Sequence, residues 1–70
     1  MTYYDRDSDI VYVTLAEREV DHSVEHDWGL LDVDAQGTAV GAEYWHASRR
    51  LPTELLAVLP APPRRVSSAA

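Results

Sequence analysis

The sequence predicts an α+β fold: a four-stranded antiparallel meander sheet covered by one short C-terminal helix. Three observations carry this. β-branched and aromatic residues alternate with polar ones through much of residues 9–45. The tetrapeptide Asp34-Ala35-Gln36-Gly37 divides the longest such stretch into two halves, as a turn would. A leucine-rich segment then follows, opened by Pro52 and stopped by Pro60. Residues 1–59 are expected to form a single small α+β domain, and residues 60–70 have the composition of a disordered tail.

Residues 1–8 read as polar and irregular. Asp5, Asp7 and Asp9 have the spacing of the first ligands of a calcium loop. Ile10 stands where that loop needs glycine, however, and Ala16 where it needs glutamate, so a solvated turn is the expectation. Residues 9–15, DIVYVTL, have strand composition. Val11, Val13 and Leu15 point one way, Ile10, Tyr12 and Thr14 the other. Both sides of this strand are largely apolar, which is unusual for a sheet with one wet face.

Residues 20–26 alternate again, with Val20, His22, Val24 and His26 on one side. On a helix His22 and His26 could share a metal ion. On a strand they lie about 13 Å apart at ~3.3 Å per residue, too far to do so. The strand reading leaves them as two histidines at the sheet surface, and His46 could join them only through the fold.

In the hairpin of residues 29–48, a four-residue loop pairs Val33 with Thr38, Leu31 with Val40 and Gly29 with Ala42. A three-residue loop would set Asp32 opposite Val40 and mix the faces, so the apolar pattern favours the longer one. Leu31, Val33, Val40, Ala42 and Tyr44 then share one face. Trp28, Leu30, Asp32, Ala39, Gly41, Glu43 and Trp45 stand on the other, joined by Ile10 and Tyr12. One helix covers one side of a sheet, and an apolar second side marks an interface. Ile10, Tyr12, Trp28, Leu30 and Trp45 are the candidate interface residues. In the last segment, Pro52 suits the first turn of a helix over residues 49–59, with Leu55, Leu56 and Leu59 as its buried stripe and Ser48 as its cap.

Charge and length narrow the function. A 70-residue chain buries only about 60% of its unfolded surface. It has no cysteine, which excludes disulfides and thiolate metal sites and leaves oligomerisation, as a homodimer, as the expected supplement. A net charge of −6 argues against general nucleic-acid binding, which needs clustered cations, and suits a basic protein partner. All six basic residues are arginines, four of them in the pairs Arg49–Arg50 and Arg64–Arg65; the second pair gives the tail its charge. No apolar run approaches a membrane span and no leader precedes the first strand, so a cytoplasmic address and no membrane partner are expected.

No nucleophile–histidine–acid order and no phosphate loop is present, and no catalytic constellation or cofactor is expected. Asp32, Asp34 and Glu43 form the best carboxylate cluster. Asp32 and Glu43 share a face, so a small metal-dependent enzyme using Asp32, Glu43 and a histidine is the alternative reading.

Tyr4, Asp5, Asp9, Tyr12 and Leu15, the Asp32-Val33-Asp34 turn with Gly37, and then Val40, Gly41, Glu43, Ala47, Ser48 and Leu51 form an ordered pattern. In it the chain resembles the bacterial family labelled domain of unknown function 2283 over about residues 3–56. It departs from the family pattern at Ala42, Trp45 and His46. The resemblance implies a small antiparallel sheet with a C-terminal helix and no established activity. It also implies an antitoxin-like role, since such families have been linked by gene neighbourhood to small ribonuclease-like toxins. The expected function is a homodimeric interaction module that neutralises a basic partner.

Overall fold

The computed structural model describes residues 1–63. The elements are β1 (Thr2–Asp5), β2 (Ile10–Thr14), β3 (His22–His26), β4 (Gly29–Val33), β5 (Ala39–Trp45), α1 (Ala47–Arg50) and α2 (Thr53–Val58). The class is α+β and the sheet antiparallel, as expected. The sheet has five strands instead of four, and two short helices stand where one was expected. The additional strand is built from Thr2, Tyr3 and Tyr4, all good strand formers, and it sets Tyr3 opposite Tyr12 and Tyr4 opposite Val11. Asp5 ends the strand opposite Ile10, and its carboxylate accepts the amides of Asp7 and Ser8 in the turn that follows.

The strand order is β1-β2-β5-β4-β3, which corrects the meander. β2 lies beside β5, and β3 returns at the far edge, which is Greek-key connectivity. Residues 15–21 therefore cross three strand spacings, ~14 Å, along one end of the sheet. Leu15 and Ala16 both donate their amides to the Val40 carbonyl, at 2.9 and 3.2 Å. Further along, Arg18 pairs with Asp34 at 3.3 Å, and the Asp21 amide reaches the Val33 carbonyl at 2.7 Å.

The β4–β5 hairpin closes through the three-residue loop, with the Asp34 amide on the Thr38 carbonyl at 2.9 Å. Gly37 takes the positive φ of +82° that this loop requires. The expected mixing of faces does not follow, because a β-bulge intervenes. Val33 pairs with Ala39 but Asp32 pairs with Gly41, so Val40 is the extra residue and alternation is restored beyond it. Leu31 faces Ala42 and Gly29 faces Tyr44, two residues from the expected partners, and a shift of two preserves the faces.

Tyr4, Val11, Ala47 and Leu56 form the buried core, with Val13, Tyr44, Leu51 and Leu59 packed against it. The helices thus cover the β1, β2 and β5 part of one face. Pro52 caps α2 instead of opening its first turn, and Leu55 remains 41% exposed, so the buried stripe is Leu56 and Leu59 with Leu51 ahead of them. The Arg6 guanidinium donates to the carbonyls at the end of α2, Leu56 at 3.0 Å and Leu59 at 3.4 Å, and lies 5.1 Å over the Tyr4 ring. Pro60 accepts the Tyr4 amide at 2.8 Å, so the start of the expected tail runs along the outer edge of β1. The remainder of that tail, with Arg64 and Arg65, lies outside the described residues.

Candidate functional site

Tyr3, Asp5, Ile10, Tyr12, Leu30, Asp32, Glu43 and Trp45 fall on the second face by register, with Ser23 and Glu25 of β3 beside them. Among the described residues no helix lies over this face. It is half-buried by its own side chains. Tyr3 and Tyr12 stack with centroids 5.6 Å apart, and the Trp45 indole N–H donates to Glu43 at 2.8 Å.

A polar bridge crosses the middle of the face. The Tyr12 hydroxyl reaches from β2 over β5 and donates to Asp32 Oδ2 at 2.9 Å, while Ser23 Oγ donates to Asp32 Oδ1 at 2.6 Å from β3. The crossing passes over Gly41, where any Cβ would meet the Tyr12 hydroxyl and Cζ. Burial, and then the hydrogen bond to anionic Asp32, push the Tyr12 phenol up to about 12. One phenol, one carboxylate and one hydroxyl thus link three strands, β2, β4 and β3, across the fourth, β5.

Of the expected interface residues, Ile10, Tyr12, Leu30 and Trp45 share this face. Trp28 does not. Strand alternation breaks at Gly29, whose φ is +152° and whose backbone sits against the Glu43 carbonyl where no Cβ fits. Trp28 consequently folds to the helix-bearing side, its ring 5.0 Å from Tyr44 and stacked 5.0 Å from His26. Sequence reasoning also missed Tyr3 and Ser23. The strand composition of residues 2–4 was the signal for Tyr3, whereas Ser23 needed the β3–β4 register.

Asp32 and Glu43 do share a face, one diagonal step apart. The histidines do not join them: His22 and His26 alternate with Ser23 and so lie on the opposite side of β3, and His46 sits with φ 55° at the β5–α1 corner. Among the described residues no three His, Asp or Glu side chains are placed to hold one ion.

A second cluster surrounds Asp9. Its carboxylate accepts the Tyr4 hydroxyl at 2.6 Å, the Ser48 amide at 2.9 Å and the Ser48 hydroxyl at 2.6 Å, and its carbonyl accepts the Ala47 amide at 3.0 Å. Ser48 is therefore not the cap expected of it; Asp9, from the β1–β2 turn, supplies the acceptor. The Ser48 hydroxyl and then Tyr4 hold the Asp9 carboxyl below its ordinary value. The reciprocal bond to Asp9, followed by burial, raises Tyr4. This cluster fastens α1 to the sheet.

Two clefts flank α2. One, of about 240 Å³, is apolar, between Val11, Val13 and Tyr44 of the sheet and Leu51, Leu55 and Leu59; the other, of about 330 Å³, lies by Tyr4, Arg6 and Ser48. Neither contains Asp32 or Glu43. No helix among the described residues is long and apolar enough to cross a membrane.

The architecture is that of a small α+β protein with a Greek-key sheet, helices over one face and an acidic, aromatic second face. The chain belongs to the family described as protein of unknown function (DUF2283), which matches residues 2–48. That span takes in all five strands and the Asp9–Ser48 cluster, and it ends before α2. No match was found among curated proteins or among solved structures.

Proposed function

We propose that the chain is a non-enzymatic interaction module, homodimeric, whose open sheet face binds a basic protein partner in the manner of an antitoxin. The observation that carries this is the content of that face. Asp5, Glu25, Asp32 and Glu43 stand on it by register, and no arginine occupies a strand position beside them. The chain's described arginines are placed elsewhere, Arg6 on α2, Arg18 on Asp34, and Arg49 and Arg50 on α1. Tyr3, Tyr12 and Trp45 offer ring faces among the carboxylates, and guanidinium groups stack on such rings. Two copies meeting through this face would oppose like charges, whereas a basic partner is complementary to it.

The rival metal-dependent reading is weakened by the position of His22 and His26 behind the sheet from Asp32 and Glu43. The test is a nuclear magnetic resonance titration of the full chain with an arginine-rich peptide. The expected perturbations fall on Tyr12, Leu30, Glu43 and Trp45, and Glu43→Arg together with Trp45→Ala removes them. Perturbations confined to the helix side would overturn the reading.

A further inference from the structure

Among the described residues, β3 is the edge strand without a backbone neighbour on its outer side, since Pro60 lies along β1. All five of its residues, His22-Ser23-Val24-Glu25-His26, are exposed. Edge strands are ordinarily protected by charge against indiscriminate pairing. This one has a self-complementary order. Laid antiparallel against a second copy about Val24, it sets Val24 opposite Val24, Ser23 opposite Glu25 and His22 opposite His26. No like charges face each other within the strand. Centring on Glu25 would oppose two carboxylates, and centring on Ser23 would leave only three residues of each strand paired.

We propose that two copies of the chain pair through β3 in this register, and that His22 of one copy and His26 of the other together bind a divalent transition-metal ion such as zinc. The inference rests on the homodimeric part of the function above and supplies its interface. Four residues along one strand keep His22 and His26 about 13 Å apart within a copy. Directly opposite residues of antiparallel neighbours instead bring Cβ atoms to ~4.5–5.5 Å, within reach of one ion. The twofold axis makes two such sites.

Both imidazoles are already oriented. His22 Nδ1 lies 2.8 Å from Asp21 Oδ2, which leaves Nε2 as the free nitrogen, the arrangement by which carboxylates position metal-bound histidines. His26 is held flat on Trp28 at 5.0 Å, with 8° between the rings. Imidazole pairs suit zinc, nickel and copper, and water completes the coordination. The joined sheet would carry the acidic open face continuously across both copies.

Sedimentation of the full chain with zinc chloride and with a chelator, combined with oxidative cross-linking of Val24→Cys, tests this in a chain that otherwise lacks cysteine. The expected results are a disulfide-linked dimer of Val24→Cys and a dimer tightened by zinc. With zinc at about ten times the site dissociation constant, two sites tighten it about 100-fold. His22→Ala and His26→Ala each abolish the zinc response. Ser23→Cys cross-links only when mixed with Glu25→Cys. A dimer that ignores zinc and leaves Val24→Cys no more cross-linked than Val58→Cys, at a 76% exposed helix position, would overturn the β3 interface while leaving a homodimer standing. A chain that sediments as a monomer with and without zinc would remove both.

Discussion

At Gly41 a missing side chain decides the geometry of the open face. The Tyr12 ring occupies the space a Cβ would fill, and only so can its hydroxyl reach Asp32 across β5. Gly41→Ala must displace a stiff aromatic ring, and we expect a loss of about 1–3 kcal/mol in urea denaturation. Tyr12→Phe removes the hydrogen bond but keeps the ring, and should cost about 1 kcal/mol. The phenol also sets an alkaline limit. Its folded value is about 12 against an ordinary 10.0, so the neutral form is the stabilised one. Its contribution is complete below pH ~10 and disappears as pH rises toward ~12. The difference in tyrosinate absorbance between the natural chain and Tyr12→Phe should show one phenol titrating near the upper limit. Asp32→Asn should bring it back toward the ordinary value.

Among the elements, the β4–β5 turn and the α2 cover are the most exposed to single changes. Asp34 accepts the Gln36 and Thr38 amides at 3.0 and 2.9 Å and Arg18 at 3.3 Å, so one buried carboxylate holds both the turn and the strand-crossing segment. The Thr38 amide, then the Gln36 amide and Arg18, keep its carboxyl below the ordinary value, and Asp9 is lowered as well. Depressed carboxyls stabilise above their unfolded values, ~3.9, and lose that contribution as pH falls through the lower folded ones. Thermal melts should therefore hold level from neutrality to about pH 4 and decline below it. Asp34→Ala should lower the melting temperature at neutrality and flatten the acid decline. Leu56 is the α2 residue in the core, 7% exposed, and Leu56→Ala should cost about 2–3 kcal/mol. Sixty ordered residues have only about 3–9 kcal/mol in total, so that loss is a large share of it and circular dichroism should find the variant melting well below the natural chain.

For the whole molecule, net charge and the one-sided sheet work together. A chain of net charge −6 with its described arginines away from the open face attracts cations to that face. Association with a basic peptide should slow by about tenfold or more between low and physiological salt, while Glu43→Arg removes most of that dependence. Stopped-flow mixing measures it. Much of this surface was legible in the chain: Ile10, Tyr12, Leu30 and Trp45 follow from period-two alternation, and so does the shared face of Asp32 and Glu43. Trp28 was not legible, because the alternation that would place it stops at Gly29. Nor was the Tyr12–Asp32 bridge, which joins residues twenty positions apart across a strand between them.

Strand composition, the two-sided alternation of each strand, the leucine cover and the acidic balance are local or additive properties, and the sequence by itself determined them. The order of the strands was a tertiary matter. Residues 15–21 are long enough either to turn back beside β2 or to cross the sheet, and in the folded chain β5 takes the place beside β2. The turn carries the same lesson. Asp34 to Gly37 allowed two loop lengths, and the shorter one holds because a bulge at Val40 restores the faces and turns its carbonyl to the crossing segment. A local pattern specifies which side a residue takes, but only the assembled sheet specifies its neighbour.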